Sequence, residues 1–290
     1  MSDLAIFILT HGRAANVATV KALKKHGYTG RWFIVIDNED DQQDEYVKRY
    51  GDKVIVFDKK VIAKTFDEGD NFNDRRAIIY ARNACFGIAE KLGIKYFMQM
   101  DDDYTAFDYR VYNEENQKPK PIKNMNKVIS AMMEFYTATN IHSISMAQGG
   151  DFIGGKGNRM ARKPTLSRKC MNSFICSTDR PFTFVGRINE DVNTYTNKAG
   201  TGTLMVTNPF CSLTQKQTQS NKGGMSDLYI DSGTYVKSFY SIMYSPSCVK
   251  IKPMGDTHVR LHHSVKWDHA VPKIISEGLR KTDEQQVNNR

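Results

Sequence analysis

Three short apolar runs, residues 4–9, 32–36 and 54–57, each stop abruptly at polar residues, and this spacing limits the fold more than any other feature. Each run has strand length, while the intervening segments have helical character. From about Asn16 to His26, Val17, Val20 and Leu23 fall on one face, and Gly27 supplies the stop. The acidic stretch through Glu45 leads into a second, shorter helix. Strand, helix, strand, helix, strand is the signature of an α/β chain with a doubly wound, mainly parallel sheet. Ligands of such sheets bind at the carboxyl ends of the strands. Those ends carry Thr10, His11 and Arg13 after the first strand, Asp37 after the second and Asp58 after the third. Neither a Gly-x-Gly-x-x-Gly turn nor a Gly-Lys-Ser/Thr loop is present. This argues against a dinucleotide enzyme or a P-loop ATPase.

The most informative strand end lies further on. The helix predicted for residues 75–92 has its buried side near Ile78, Ile79, Cys85, Ile88 and Leu92, with Gly93 as its stop. Within it Arg82 and Asn83 sit among apolar neighbours, where a surface arginine with its stem along the protein is the plain reading. A short apolar run, Tyr96 to Met100, then ends on Asp101, Asp102 and Asp103. Three carboxylates in succession repel one another, and a divalent cation such as Mn2+ or Mg2+ offsets that repulsion. In extended backbone Asp101 and Asp103 point one way and Asp102 the other. One pair can then share a metal or metal-bound phosphate while Asp102 anchors the loop. A solvated turn would also tolerate an acidic triplet, but the buried lead-in and the aromatic Tyr104 and Phe107 favour a site.

Residues 108–124, polar and containing two prolines, are expected to form a loop, 125–139 a helix and 143–147 a strand. Further strands are expected at 174–176, 182–184, 204–206 and 210–213, a helix at 191–198 behind Glu190 and Asp191, a helix at 231–244 and a strand at 249–252. Asn189 or Asp191 could simply cap the helix that follows. Four of the seven histidines, His258, His262, His263 and His269, crowd the C-terminal region. One of them is a candidate metal ligand beside the carboxylates, since imidazole suits Mn2+. No internal repeat appears. The expectation is a single domain over residues 1–282 with a small mixed C-terminal extension and a disordered tail at 283–290.

The net charge of +9 points to an anionic partner. The excess is concentrated in Lys156, Arg159, Arg162, Lys163, Arg168 and Lys169, a stretch without acidic residues and broken by glycines and a proline. Such a basic loop suits the phosphates of a nucleic acid. No stretch approaches the ~20 apolar residues of a membrane span, and no secretory signal opens the chain. Five scattered cysteines, with no Cys-x-x-Cys pair, speak for a reducing compartment, so a cytoplasmic location is expected.

In order, a threonine-bearing turn after the first strand, Asp37 after the second, an Ala-Arg-Asn helix, a strand ending in Asp-x-Asp, a Glu-Asp element and late histidines resemble a GT-A-fold glycosyltransferase over residues 4–270. Met-Asp-Asp-Asp-Tyr, and the His-His pair followed by Pro-Lys-Ile-Ile, narrow the resemblance to bacteriophage TET-associated glycosyltransferases, which are proposed to glycosylate oxidised methyl groups on DNA bases. The resemblance implies a UDP-sugar donor and Mn2+ or Mg2+ held by Asp103, Asp101 and His263 (or His262). It also implies Thr10, Arg13, Asp37, Arg82, Asp101 and Asp102 around the nucleotide sugar, with Arg82 at the diphosphate. Asp191, with Glu190 as the alternative, would be the general base of an inverting reaction. The acceptor would be 5-hydroxymethylcytosine or a related base in double-stranded phage DNA, in the cytoplasm of the infected host. A glycan, lipid or protein acceptor, and a non-catalytic nucleic-acid-binding protein on the same fold, are the alternatives.

Overall fold

The computed structural model describes residues 3–70, 74–110, 119–152, 163–168, 170–216, 236–254 and 259–280. The core is built outward from β1 (Leu4–Leu9), whose six residues are all buried. Its flanks are β2 (Arg31–Asp37) and β4 (Tyr96–Asp101), both parallel to it. Burial on both faces is what a continuous apolar run achieves at the centre of a parallel sheet. Alternation divides the strand between two cores. Ile6 and Ile8 pack with α1 (Ala18–Lys25) and α5 (Met125–Ala138) on one face. Ala5, Phe7 and Leu9 pack with α4 (Ile79–Lys91) on the other, where Tyr195 and Ala199 of α6 (Glu190–Ala199) join them.

The remaining strands are β3 (Val54–Phe57), β5 (Tyr104–Arg110), β6 (Pro119–Pro121), β7 (Ser143–Gln148), β8 (Ser173–Ser177) and β9 (Met205–Gln215). They complete a nine-stranded sheet of order β3-β2-β1-β4-β8-β7-β9-β5-β6. Pairing directions leave β8 and β5 as the two strands opposed to the other seven. This is the α/β, mainly parallel, helix-flanked architecture expected. The smaller elements between strands are α2 (Gln43–Tyr50) and α3 (Lys59–Ala63), the latter capped by the Asp58 side chain on Val61 N–H. In the C-terminal part α7 (Val236–Tyr244) packs on a two-stranded antiparallel hairpin of β10 (Val249–Met254) and β11 (Arg260–Val265), followed by α8 (Trp267–Ala270).

Three expectations change. Residues 108–110 and 119–121 are strand, not loop. The register slips between Tyr104 and Ala106, which breaks the alternation that would have betrayed β5. In β6 the prolines stand two apart on the sheet edge, so their missing N–H groups point away from the single partner. Residues 182–184 are extended but form no ladder. The Asn83 side chain replaces one, accepting from Phe184 N–H at 2.8 Å and donating to Phe184 C=O at 3.1 Å. Finally, 205–206 and 210–213 belong to one strand, β9. Its ladder to β7 jumps from Met146–Asn208 to Ala147–Ser212, bulging around Pro209. Residues 231–235 of the expected late helix and the expected tail at 283–290 lie outside the described residues.

Candidate active site

The Asp101–Asp103 turn closes β4 at the carboxyl edge of the sheet and is held from three sides. At the start of α1, Thr19 donates through Oγ1 to Asp101 C=O at 2.6 Å and through its N–H to Asp102 C=O at 3.1 Å, and accepts from Tyr104 N–H at 3.0 Å. The turn after β1 holds Asp102. Thr10 Oγ1 donates to Oδ2 at 2.6 Å, and Arg13 Nη1 to Oδ1 at 2.9 Å. Behind them the Tyr46 hydroxyl lies 2.9 Å from Thr10 Oγ1 and accepts from Arg13 N–H at 2.8 Å. Asp102 is therefore the anchor of the turn, held by Thr10 and Arg13.

From α4, Arg82 lies beneath the turn with its side chain 1% exposed. Its Nη2 donates to Asp101 Oδ1 at 2.9 Å and its Nε to Glu190 Oε1 at 3.0 Å. The guanidinium also lies 4.8 Å from the centre of the Phe174 ring. Arg82 was expected at a diphosphate. Instead its plane is enclosed by two carboxylates and an aromatic face, and it ties the aspartate turn to the first residue of α6.

Charge at this edge is unbalanced. Burial, more than any other influence, pushes the Asp101 carboxyl up to about 7, and Asp103, Glu190 and Asp102 add repulsion against the pull of Arg82. Burial and the neighbouring Asp102 also raise Asp103. Burial raises Glu190 despite Arg82, with Asp191 contributing. Among the described residues, Asp103 Oδ1 is buried and accepts no hydrogen bond, while Arg82 Nη1 and Arg13 Nε are buried donors without acceptors. An orphaned carboxylate oxygen beside a second carboxylate of raised pKa is a donor set that fits a divalent cation completed by substrate phosphate oxygens.

Among the described residues, no group of three or more His, Cys, Asp or Glu side chains is arranged to hold a metal ion. His263 is not brought together with Asp101 and Asp103 as a ligand set. Its Nδ1 lies 3.4 Å from Asn189 Nδ2, and its ring is 4.3 Å from that of His262, whose Nδ1 lies 2.9 Å from His263 C=O. The β10–β11 register, which pairs His263 with Ile251, fixes this position beside the Glu190–Asp191 element. His258 lies outside the described residues.

Asp37 is closed by cations. Oδ2 meets His11 Nδ1 at 2.8 Å and the buried Lys59 Nζ at 3.2 Å, and Oδ1 accepts from Glu39 N–H at 3.0 Å. Burial is the largest single influence and opposes its ionisation, but His11 and Lys59 together outweigh it and leave the pKa below the ordinary value. His11, paired with Asp37, is raised in turn. It presents a half-exposed ring at the edge and covers the Asp37 carboxylate. Burial of Lys59 has no counterpart in the sequence pattern. His11 was visible in the turn but had no assigned partner.

Asp191 is buried in the first turn of α6 and accepts from Val192 N–H at 2.8 Å. The approach to it is fixed. Gly186 has φ +78°, and a Cβ there would stand 2.3 Å from Asn193 Nδ2. The next residue, the buried Arg187, donates from Nε to Asp70 at 2.8 Å. Of the basic stretch, Lys163 is exposed, but Arg168 pairs with the buried Asp151 and is not offered to a partner as expected. A cation beside a buried carboxylate satisfies it before any external phosphate can compete. Lys156, Arg159, Arg162 and Lys169 lie outside the described residues.

The sheet thus collects carboxylates and cations along the carboxyl ends of its parallel strands, where α/β sheets of this class bind their ligands. The profile of the TET-Associated Glycosyltransferase family matches residues 4–224. The chain belongs to that family, and it is a glycosyltransferase. No protein of curated function matches the sequence. Similar solved structures include glucosyl-3-phosphoglycerate synthase from Mycobacterium tuberculosis in complex with Mg2+ and UDP, which is 8% identical, covers 91% of this chain and 88% of that one, and has a TM-score of 0.45. TarS from S. aureus in complex with UDP-GlcNAc is 13% identical, covers 83% of this chain and 66% of that one, and has a TM-score of 0.43. Both likenesses are distant. No helix among the described residues is long and apolar enough to cross a membrane.

Proposed function

We propose that the protein transfers a sugar from a UDP-sugar to the hydroxymethyl group of 5-hydroxymethylcytosine, or a related hydroxymethylated base, in double-stranded phage DNA within the host cytoplasm. The observation that carries the reading is the Asp103 turn, with its buried Oδ1, unpartnered among the described residues, and the raised Asp101 carboxyl beside it. Family membership supports the transfer reaction and the net charge of +9 a polyanionic acceptor.

Asp103 and Asp101 would hold Mn2+ or Mg2+, which when bound supplies Lewis-acid neutralisation of charge on the leaving diphosphate. The Thr10–Arg13 turn and the Asp37–His11 pair form the nucleotide end of the site. Arg82 acts from beneath, keeping Asp101 and Glu190 in register. Glu190 is engaged by Arg82, which leaves Asp191 as the general base. Its carboxylate takes the acceptor hydroxyl proton, the hydroxyl oxygen bonds to the anomeric carbon, and the bond from that carbon to the diphosphate breaks with inversion. A base paired inside a duplex must be extruded to reach this edge.

The test is a donor screen. The full chain with Mn2+ is given a panel of UDP-sugars and DNA bearing cytosine or 5-hydroxymethylcytosine, and the nucleosides are analysed by mass. A sugar-sized gain on 5-hydroxymethylcytosine alone, lost in Asp191→Asn and with EDTA, is expected. UDP release without any gain on DNA would assign the enzyme to another acceptor.

A further inference from the structure

Beyond the Asp103 turn, away from the Asp37 end, three side-chain amides converge from three different strands. Gln148 ends β7, Asn172 leads into β8 and Gln215 ends β9. Asn172 Nδ2 donates to Gln215 Oε1 at 2.7 Å, and Gln148 Nε2 donates to the same oxygen at 3.3 Å. All three residues are half-buried. Their place against the turn is fixed twice over. Gln215 is the cross-strand partner of Tyr104, and Lys216 N–H donates to Asp103 C=O at 3.2 Å. The Tyr104 hydroxyl in turn donates to the Asn172 carbonyl.

Gln215 Oε1 accepts from both of the other amides. Gln215 Nε2, together with Gln148 Oε1 and Asn172 Oδ1, is left without a partner among the described residues. The cluster therefore offers the two Gln215 Nε2 protons, one further proton each on Gln148 Nε2 and Asn172 Nδ2, and two acceptor oxygens in a small area beside the carboxylates. Asn172 holds a left-handed backbone, φ 60°, which asparagine tolerates better than most residues, and this turns it toward the other two.

We propose that Gln148, Asn172 and Gln215 form the acceptor-base site and read the Watson–Crick edge of an extruded pyrimidine. Amides are the side chains that pair with base edges by matched donors and acceptors. In a 5-hydroxymethylpyrimidine the group on C4 neighbours the reacting substituent on C5, so a reader of that group has to stand next to the aspartate turn. An amino group on C4 marks cytosine and a carbonyl marks uracil, and the cluster is built to tell them apart. This inference rests on the hydroxymethylated-base reading given above.

The experiment uses the full chain with Mn2+ and UDP-sugar on otherwise identical duplexes carrying 5-hydroxymethylcytosine or 5-hydroxymethyluracil. It compares wild type with Gln215→Leu, Gln215→Glu and Gln148→Leu, with folding checked by thermal melting. Gln215→Leu and Gln148→Leu are expected to raise the acceptor KM about tenfold or more and to flatten the ratio of kcat/KM between the two bases. Gln215→Glu keeps the shape and the shared oxygen but exchanges a donor for an acceptor. It is expected to shift that ratio by about tenfold instead of flattening it. Folded variants with unchanged KM and unchanged base ratio would overturn the proposal while leaving the DNA acceptor intact. Wild-type protein that releases UDP but modifies neither duplex would overturn the acceptor reading itself, and the base site with it.

Discussion

Two strand ends on the same edge of the sheet carry aspartates and treat them in opposite ways. At the end of β2, Asp37 is enclosed by His11, Lys59 and a backbone amide, and its pKa is lowered. At the end of β4, Asp101 and Asp103 share Arg82 and Arg13 with Glu190 and Asp102, and both pKa values are raised. One end is electrically finished. The other holds more negative charge than the described residues neutralise, and Asp103 Oδ1 has no donor among them. Residue type does not distinguish them, because both are aspartates after apolar strands. What differs is how many cations the neighbouring elements deliver to each.

The comparison can be broken most sharply at Arg82. Arg82→Leu leaves Asp101 and Glu190 facing each other in a poorly hydrated site, and unfolding in urea should show a loss of about 3–5 kcal/mol. A loss below about 1 kcal/mol would mean that the two carboxyls share protons and need no cation. Next comes Asp103→Ala. Transfer should fall about 100-fold or more, while stability holds or rises, because the buried oxygen removed had no partner. An equal fall in stability would show Asp103 to be structural, like Asp37.

Proton linkage gives the two ends opposite signs. The raised Asp101 makes the folded, metal-free protein the tighter proton binder. Its stability should therefore decline as pH rises from the ordinary carboxylate range through about 7, by at most about 1.4 kcal/mol per unit. Affinity for Mn2+, measured by calorimetry, should climb over the same window. Asp37, with its lowered value, contributes stability that is present above its ordinary range and lost as pH falls through the folded value. Denaturant titrations of Asp101→Asn and Asp37→Asn across pH should each remove one limb. His11→Ala should cost less than about 1 kcal/mol, since the ring is nearly half exposed. Smallest of all, Lys163→Ala should lower the slope of log K for DNA against log salt by about 0.9 if that side chain meets a phosphate.

The strands and the longer helices of the first hundred residues were legible because apolar runs and helical spacing reflect burial directly. The short helices α3 and α8 and the strand β11 were not expected, and β5, β6, residues 182–184 and residues 204–213 were misread. Asn83 substitutes for a strand partner at Phe184, and the Pro209 bulge interrupts a single strand. In the site, the aspartate turn and the Glu-Asp element were visible from residue type and position. The roles of Arg82, Asp37 and His263 were not, because partners 108, 22 and 74 residues away decide them. A sequence shows which charges exist, but not which of them neutralise one another.

The Asn83 amide has a kinetic consequence. Residues 182–186 approach Glu190 and Asp191 without ladder bonds of their own, and the buried Phe184 N–H is bonded by a side chain of α4. Its hydrogen–deuterium exchange should follow the opening of α4 and not that of the sheet beside it. Arg82, the next residue on the same helix turn, would leave Asp101 and Glu190 in the same event. Local opening of one helix would thus release both the segment entering the Glu-Asp element and the cation beneath it, making α4 the slow clock of the site.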